Sequence, residues 1–456
     1  MKRTRFSAVA AAAAVTVASL ALAACSGPSV GAASDDASTS PSAATGGPDF
    51  TGVTPAKKIT FWSSNPGGSG DVTQEIIDAF TAKTGIEVEL VPAASYEDVA
   101  QKFQAAQAGG GLPDVLTLSD VWWYRYYLND QIIPLGNALE AAKADTDDYL
   151  PVFYGDYQYD GEQWAVPFAR STPLFYYNKA QWAAAGLPDR GPATWQEFAE
   201  WAPKLAAVNG GKPAFEWPDI AGYAGWIAQD LLWGWGGSWS AKDSFDVTAD
   251  SAKSVEALQF LQDSIYTDKW AAQAAKDAGA DLAAGGTSAT IASSGSFAGI
   301  QKTLDSAGNP FELGAAPLPG GPAASDGVSP TGGTGVAIPK GIPAANQLAA
   351  AEFIAFLTNP ENTVKFSGAT GYIPVDKSAD TTALRAAKPV IGVAIDQADA
   401  TRSQDWARVF LPGGDQAMNS AIQSIATQQV PVKDAMTDLK GKLEQIYTTQ
   451  VEPNLK

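Results

Sequence analysis

The sequence predicts an α/β protein built from two lobes. Strand-like and helix-like segments alternate along residues 57–456, a pattern typical of α/β domains. About 400 residues follow the N-terminal segments, which is more than one hydrophobic core usually accommodates. Only 17% of the residues are charged and 45% are hydrophobic, as expected for a well-packed body. We therefore expect two α/β lobes whose sheets are largely parallel.

The N-terminus has the pattern of an export signal. A basic start at residues 2–5 precedes an apolar, alanine-rich stretch over residues 8–24, and Leu-Ala-Ala-Cys ends the stretch at Cys25. This ending resembles the lipobox of bacterial lipoproteins, in which the peptide is cut before a cysteine that carries a diacylglycerol. Cys25 is the only cysteine of the chain, so it cannot form an internal disulfide. Residues 1–24 are therefore predicted to be a lipoprotein signal peptide.

The alternative is an ordinary signal peptide, cleaved after Ala23 or Ala24, which would leave Cys25 as a free thiol. The apolar stretch is short and rich in alanine for a membrane-spanning helix. Residues 25–56 contain mostly small and polar residues, which predicts a disordered tether behind the lipidated cysteine. We expect an exported protein on the outer face of the cytoplasmic membrane, attached only through its lipid.

Composition excludes several classes of function. The precursor carries a charge of −19, and removing residues 1–24 removes three cations and no acids, which gives −22. Such a chain lacks the basic face that a nucleic-acid binder needs. It has no histidine, so the commonest general base and metal ligand is missing. We expect binding rather than catalysis, with no catalytic residue, metal or cofactor.

Two other classes of protein are less consistent with the residues. A carboxylate glycosidase stays possible in principle, but no spacing of acids suggests a catalytic pair. A phosphodiesterase usually holds metal ions with histidine and carboxylates. A structural or adhesive surface protein usually shows repeats or several cysteines, and neither occurs in this sequence.

Local patterns predict the elements in order. Thr194 and Glu197 form a capping-box signature at the start of a helix, and Asp71 can cap a helix that Gly85 stops. The predicted strands cover residues 59–62, 86–91 and 114–118. The predicted helices cover residues 71–84, 96–108, 194–208, 251–267, 345–358, 415–427 and 433–448.

Six segments carry a resemblance to a known family. They are 61–64 (FWSS), 167–179 (PFARSTPLFYYNK), 292–296 (ASSGS), 353–357 (FIAFL), 359–362 (NPEN) and 371–374 (GYIP). In this order they resemble the family 1 extracellular solute-binding proteins of bacterial ABC importers. Within that family, the chain is most similar to the branch that binds glycerol-3-phosphate and glycerophosphodiesters. The similarity runs over nearly all of residues 57–456.

The resemblance implies a type II periplasmic-binding-protein fold, with a ligand cleft between lobes joined by a hinge of several strands. The hinge crossings are expected near residues 168–173, 308–311 and 374–378. The N-lobe would contain residues 57–168 plus 311–374, and the C-lobe residues 169–308 plus 376–456. The resemblance also implies a monomeric receptor that delivers a polyol phosphate or a sugar to the transmembrane subunits of an ABC permease.

Aromatic residues are the first candidates for ligand contacts. The chain contains 14 Trp and 14 Tyr, and sugars and polyols need flat aromatic surfaces with a few oriented polar groups. The densest group is the segment 222–226 together with Trp233, Trp235 and Trp239. For Trp233 and Trp235, the alternative is a purely structural place in the core.

The resemblance also implies a set of ligand-binding residues. Arg408 lies near the position of the family's phosphate-binding arginine, with the alternative that it is a surface arginine like its neighbour Arg402. A guanidinium binds phosphate oxygens with a planar pair of donors. The full predicted set is Ser64, Tyr96, Asp120, Ser171, Tyr223, Trp226, Ser294 or Ser296, Gly333, Tyr372 and Arg408.

Two departures from the family leave the ligand open. Tyr223 stands where the most similar relatives carry a tryptophan, and Asp120 stands where they carry a glutamate. The smaller wall at Tyr223 could admit a head group beyond the phosphate, as in glycerophosphocholine. Alternatively, the same fold binds a neutral di- or oligosaccharide through acids such as Asp120 and Asp71.

Overall fold

Two five-stranded sheets organise the computed structural model, which describes residues 47–64, 68–308 and 311–455, without the side chains of residues 68 and 221–223. The described residues belong to one compact unit that spans residues 45–456. Cys25, the signal peptide and residues 25–46 of the predicted tether lie outside them. Residues 47–56 of that segment are ordered against the body, so the prediction of a disordered tether was wrong for them: Phe50 is buried in the core and the Ala56 amide donates to the Ala345 carbonyl at 2.8 Å. None of the helices in these ranges is both long enough and apolar enough to span a bilayer.

The strands have the following bounds: β1 Lys58–Ser63, β2 Glu87–Pro92, β3 Val115–Ser119, β4 Gln158–Tyr159, β5 Glu162–Gln163, β6 Val166–Ser171, β7 Pro173–Asn178, β8 Phe215–Trp217, β9 Ala271–Gln273, β10 Ala289–Ser293, β11 Leu313–Ala316 and β12 Gly332–Ala337. The helices are α1 Gly68–Thr84, α2 Tyr96–Gly109, α3 Trp123–Leu128, α4 Gly136–Ala141, α5 Pro151–Gly155, α6 Lys179–Ala184, α7 Trp195–Val208, α8 Ile220–Trp235, α9 Ala252–Tyr266, α10 Ala278–Ala283, α11 Phe297–Ser306, α12 Ala344–Leu357, α13 Pro360–Thr370, α14 Thr382–Ala387, α15 Pro389–Ala398, α16 Trp406–Val409, α17 Gly414–Gln428 and α18 Val432–Ile446.

Both sheets are mixed, so the expectation of largely parallel sheets was wrong. The first sheet has the order β2-β1-β3-β12-β6, and the second has the order β11-β7-β10-β8-β9. In the first, β12 runs antiparallel to both of its neighbours, and in the second β7 does the same. Parallel neighbours in a sheet need a long crossover connection, usually a helix. β6 and β7 are joined by the single residue Thr172, and β7 pairs with strands of the other sheet.

The chain passes from one sheet to the other at Thr172. β6 pairs with β12 in the first sheet, whereas β7 pairs with β10 and β11 in the second. Beside this crossing, the Ile373 amide donates to the Arg170 carbonyl at 2.8 Å. β11 belongs to the second sheet and β12 to the first, so the chain returns between residues 316 and 332 rather than near the expected residues 308–311. The limits of the two lobes remain a prediction, and residues 309–310 of one expected crossing lie outside the described residues.

Local signals placed the helix starts to within a few residues. The Thr194 hydroxyl accepts a hydrogen bond from the Glu197 amide at 3.1 Å, which is the predicted cap of α7. The Glu197 carboxylate accepts from the Ala193 amide at 2.6 Å, one residue before the cap. The helix α1 begins at Gly68, and Asp71 lies in its first turn rather than at its cap.

Aromatic residues fill the core on both sides. On the first sheet, Phe353 contacts Phe61 and Phe80 with centroid distances of 5.5 and 5.3 Å. On the second, Trp195 packs edge-on against Phe215 at 5.3 Å. Aromatic pairs of this kind add about 0.5–1.5 kcal/mol each beyond the burial of their surface. The two packed cores hold the strand ends that carry the site.

Candidate ligand-binding site

A cavity of about 150 Å³ lies where residues of both sheets meet. Asp120 follows β3, Ser171 ends β6 and Gly333 lies in β12, so the first sheet provides one side. Trp226 on α8 and Arg408 on α16 provide the other. The predicted residues that line the cavity are Tyr96, Asp120, Ser171, Trp226, Ser296, Gly333, Tyr372 and Arg408.

The remaining predicted residues lie elsewhere. The Ser64 hydroxyl is 2.9 Å from the Thr117 hydroxyl and does not line the cavity. The sequence predicted that either Ser294 or Ser296 contacts the ligand. Ser296 lines the cavity, whereas Ser294 is buried and does not line it. The backbone of Tyr223 lies in α8, but its side chain is outside the described part of the chain. The ligand-binding roles of the whole set stay a prediction.

The tryptophans of the dense aromatic group have different positions. Trp226 lines the cavity and donates from Nε1 to the Thr331 carbonyl at 2.7 Å. Trp233, Trp235 and Trp239 do not line it, and all three are buried. For Trp233 and Trp235, the structure agrees with the alternative that these two residues are structural and do not contact the ligand.

Glycines set the positions of two aromatic walls. A Cβ at Gly332 would overlap the ring of Trp226, and a Cβ at Gly295 would lie 2.7 Å from the ring of Tyr372. Only residues without a side chain let these rings approach the backbone so closely. Tyr372 is also 3.4 Å from Tyr96, measured between the hydroxyl oxygens. Its burial raises the pKa of the Tyr372 hydroxyl, so that it stays protonated at neutral pH.

Arg408 lies among acids rather than at the surface, and it is only 4% exposed. Its Nη1 is 3.9 Å from Asp120 Oδ2, and its Nε is 2.8 Å from Asp415 Oδ1. Although the second distance is short, the N–H does not point at the oxygen, and neither atom has a hydrogen-bond partner. Arg408 is therefore held between two carboxylates with part of its donor capacity unused.

Gln404 joins Asp120 and Arg408, and the sequence reasoning missed it. Its amide nitrogen donates to Asp120, and its amide oxygen accepts from Arg408. Gln229 on α8 also donates to that oxygen, at 3.3 Å, and accepts from the Asp405 amide at 2.9 Å. The spacing of four residues between Gln404 and Arg408 is compatible with a contact over one helical turn, but nothing local marks Asp120 as their partner.

Arg170 is a second buried arginine that the sequence reasoning did not single out, although it lies within the segment 167–179. Its side chain is fully buried, and its Nη1 donates to the Tyr157 hydroxyl at 2.7 Å. Its other terminal nitrogen forms an ion pair with Asp156. Burial raises the pKa of the Asp156 carboxyl, and the charge of Arg170 opposes that rise. These contacts fix the end of β6 next to Ser171.

The cavity has more acidic than basic groups. Among the described lining residues, Glu97, Asp120 and Asp415 are acidic and Arg408 alone is basic. Trp122 and Trp226 add indole rings, and Tyr96 and Tyr372 add phenol rings. In the described ranges, no group of three or more His, Cys, Asp or Glu side chains is positioned to hold a metal ion. Such a site can bind hydroxyls, one anionic group and apolar C–H surfaces.

Residues 75–391 match the family described as "bacterial extracellular solute-binding protein". The match covers more than half of the chain, so the chain belongs to this family. Its members are the substrate-binding receptors of ABC importers and work with ABC permeases; they are not enzymes. The predicted family and the two-lobed fold are thus confirmed.

Three relatives illustrate the similarity. The sn-glycerol-3-phosphate-binding periplasmic protein UgpB of Pectobacterium atrosepticum is 29% identical over 343 residues, which are 72% of this chain and 75% of that protein. The crystal structure of UgpB from Mycobacterium tuberculosis in complex with glycerophosphocholine is 40% identical, with a TM-score of 0.80 over 87% of this chain and all of that one. The GacH receptor of Streptomyces glaucescens, at 19% identity and a TM-score of 0.73 over 86% of this chain, shares the fold.

Proposed function

We propose that this protein is a lipid-anchored, monomeric receptor that captures a glycerophosphodiester, with glycerophosphocholine as the best candidate, for an ABC importer. Glycerol-3-phosphate is the smaller ligand of the same class. The observation that carries the proposal is the position of Arg408, which is buried and is the basic residue among the described residues that line the cavity.

A buried arginine that lines a cavity suits a phosphate group. A guanidinium presents several donors in one plane, and charge-assisted hydrogen bonds to phosphate are worth about 1.5–3 kcal/mol each. Burial excludes water and strengthens such contacts. The similarity to a protein whose structure holds glycerophosphocholine supports the same ligand class.

The charges of the cavity favour a phosphodiester over a phosphate monoester. Glu97, Asp120 and Asp415 outnumber the one basic group, and like charges disfavour a dianion. A diester carries a single negative charge, and a choline ester adds a positive charge that the acids attract. A zwitterionic ligand therefore matches this arrangement better than glycerol-3-phosphate does.

A neutral di- or oligosaccharide is the second candidate. The same three carboxylates and the rings of Trp122 and Trp226 are groups that bind sugar hydroxyls and C–H faces. In that case Arg408 would serve only to balance Asp120 and Asp415. Asp71, which the sequence also suggested for sugars, is exposed on α1 and does not line the cavity.

Calorimetric titration of the mature protein without Cys25 tests the two candidates. Glycerophosphocholine, glycerol-3-phosphate, maltose and trehalose are compared for the unaltered protein and for Arg408→Ala. We expect phosphate ligands to bind and to lose at least about a hundredfold in affinity in the variant, as expected for two charge-assisted bonds. Arg402→Ala is the matched control, because Arg402 is partly exposed, stacks on Trp233 and does not line the cavity. Tight sugar binding that survives Arg408→Ala would instead establish the second candidate.

A further inference from the structure

Asp405 lies at the start of α16, in the turn that carries Arg408, but its side chain does not cap that helix. An aspartate at this position usually accepts from the amides of the first helical turn. The Asp405 side chain makes no such bond and is only 3% exposed. The Ala407 amide donates instead to the buried Ser240 hydroxyl at 3.1 Å. The Asp405 carboxylate therefore binds another part of the chain.

Two buried N–H groups donate to the Asp405 carboxylate. The Trp239 amide nitrogen lies 2.7 Å from Oδ2, and the Trp233 indole nitrogen lies 3.2 Å from Oδ1 and 3.3 Å from Oδ2. Trp233 is on α8, and Trp239 lies after the end of that helix. Hydrogen bonds to an ionised acceptor are stronger than those between neutral groups. These contacts hold the start of α16 against the end of α8.

The main chain of Asp405 connects the same helix to Arg408. The Asp405 amide donates to Gln229 Oε1 at 2.9 Å, and the Asp405 carbonyl accepts from the Arg408 amide at 2.9 Å. Gln229 and Trp233 are four residues apart on α8, so they lie on one face of the helix. Trp226, which lines the cavity, is one turn earlier on that face. Asp405 thus lies between a helix that forms the cavity wall and the backbone of Arg408.

Among the described residues, Arg402 is the charged group that faces Asp405. Its Nη2 lies 3.1 Å from Oδ1, and its side chain is 33% exposed, so solvent screens much of its charge. Lys242 and Asp243 line the solvent side of the same segment. Burial raises the pKa of the Asp405 carboxyl to about 6, although the Trp239 amide and the charge of Arg402 oppose the rise. The folded state therefore binds this proton more tightly than the unfolded state does, and ionised Asp405 costs stability at neutral pH.

We propose that Asp405 is a positioning residue for Arg408: its buried carboxylate fixes the start of α16 against α8 and thereby sets where the guanidinium lies in the cavity. The proposal rests on the proposed function and adds a residue that does not itself line the site. Burying a charge costs free energy of folding, and proteins keep such costly groups where function needs them. A role in ligand binding therefore explains the charge of Asp405 better than a role in stability does.

Asp405→Asn separates positioning from stability. The amide has the size of the carboxylate, but only one of its two terminal atoms accepts, so one of the buried donors loses its partner. We expect glycerophosphocholine to bind at least about tenfold more weakly at pH 8, the order of one lost bond to a charged group. The midpoint of chemical denaturation should not fall at that pH, because the charge that opposes folding is gone. Asp246→Asn should change neither quantity and is the matched control, because Asp246 is exposed in the segment that follows Trp239.

The pH dependence of binding provides a second measurement on the same carboxyl group. Glycerophosphocholine keeps both of its charges between pH 5 and pH 8, because neither a phosphodiester nor a quaternary ammonium titrates there. We expect the affinity of the unaltered protein to fall about fivefold from pH 8 to pH 5, as protonation of a group with a pKa of about 6 removes an acceptor. The affinity of Asp405→Asn should approach that of the unaltered protein as the pH falls. All other carboxyl groups are the same in both proteins and cancel in the ratio of the two affinities.

A double variant shows whether Asp405 acts through Arg408. A positioning residue has no further effect once the residue that it positions is gone. Asp405→Asn combined with Arg408→Ala should therefore bind glycerophosphocholine like Arg408→Ala alone, within about twofold. A merely structural role predicts instead that the two losses add.

The outcomes separate the positioning role from the proposed function. An unchanged affinity in Asp405→Asn, a parallel loss of affinity and stability, or additive losses with Arg408→Ala would contradict positioning and leave the phosphate site intact. If Asp405→Asn does not fold, the unaltered protein decides: a fall in affinity towards pH 5 supports the role, and a constant affinity contradicts it. If Arg408→Ala binds phosphate ligands as tightly as the unaltered protein does, the proposed function itself is wrong.

Discussion

Asp120 Oδ2 lies 3.9 Å from Arg408 Nη1, and the side chain of Gln404 contacts both residues. The amide satisfies the carboxylate with its nitrogen and the guanidinium with its oxygen. Because Gln404 is neutral, it holds the two charges next to each other without neutralising either of them. In the proposed function, this arrangement keeps Arg408 positioned for the phosphate in a cavity that is otherwise acidic.

Replacing Gln404 by glutamate should weaken the binding of phosphate ligands. A carboxylate at this position would pair with Arg408 and repel both Asp120 and the incoming phosphate. We expect at least about a tenfold loss for glycerol-3-phosphate, as for one buried charge pair at an effective dielectric constant near 20. Calorimetry measures the loss. The control is Gln423→Glu on α17, where the glutamine is exposed. Unchanged affinity in Gln404→Glu would mean that Arg408 does not contact the phosphate.

Replacing Gly295 by alanine should disturb the wall formed by Tyr372. The new Cβ would lie 2.7 Å from the ring, a distance that forces the ring to move. We expect the affinity for the true ligand to fall about tenfold or more, since a small displacement of a positioned group is costly. Gly299→Ala on α11 is the matched control, because no atom lies within 4 Å of its added Cβ. It should leave binding unchanged and slightly favour the helix. Equal affinities of the two variants would show that Tyr372 does not shape the site.

Asp376 should make the protein less stable as the pH rises towards neutrality. Burial raises the pKa of its carboxyl to about 7, well above the ordinary value of 3.8 for an aspartate, and the charges of Asp148 and Asp145 add to the rise. The folded state therefore binds this proton more tightly than the unfolded state, and stability is lost as the pH increases from about 4 to 7. Asp376→Asn removes this dependence, while its oxygen can still accept from Thr363.

Chemical denaturation at several pH values checks this expectation. We expect the variant to equal the wild type near pH 4 and to exceed it by about 2 kcal/mol at pH 8, a value reduced because nearby solvent screens part of the burial penalty. Asp380→Asn is the control in the same segment, because hydrogen bonds from Thr382 lower the pKa of Asp380. A constant difference between Asp376→Asn and wild type across the pH range would contradict the shift.

Replacing Cys25 by serine should release the protein from the membrane. If the cysteine carries the diacylglycerol, the variant loses its acyl chains and partitions into the aqueous phase of a detergent extraction. Metabolic labelling with palmitate measures the lipid directly. The control is Ser26→Ala, which changes the next residue and keeps the thiol. Labelling that persists in Cys25→Ser would contradict lipidation at this cysteine, and an unlabelled, soluble unaltered protein would favour the ordinary signal peptide.

The sequence predicted the candidate site in outline but not its internal contacts. Arg408, Asp120, Trp226 and Tyr372 came from the resemblance, and the structure brings them to one cavity. Gln404 and Asp415, which contact Arg408, carry no local signal of their own. The contact between Gln404 and Asp120 joins residues that are 284 positions apart, and no periodicity reports such a pairing.

Sequence by itself determined the features that depend on near neighbours in the chain. The capped start of α7 at Thr194 and the strand β1 follow from capping and apolar patterning, which act over a few residues. Composition pointed to a binding protein, and the motif order pointed to the family. The tertiary structure decided the antiparallel direction of β7 and the division of the tryptophans between core and cavity. It also decided the partners of the two buried arginines, because strand pairing and the burial of charge are set by residues that meet only after folding.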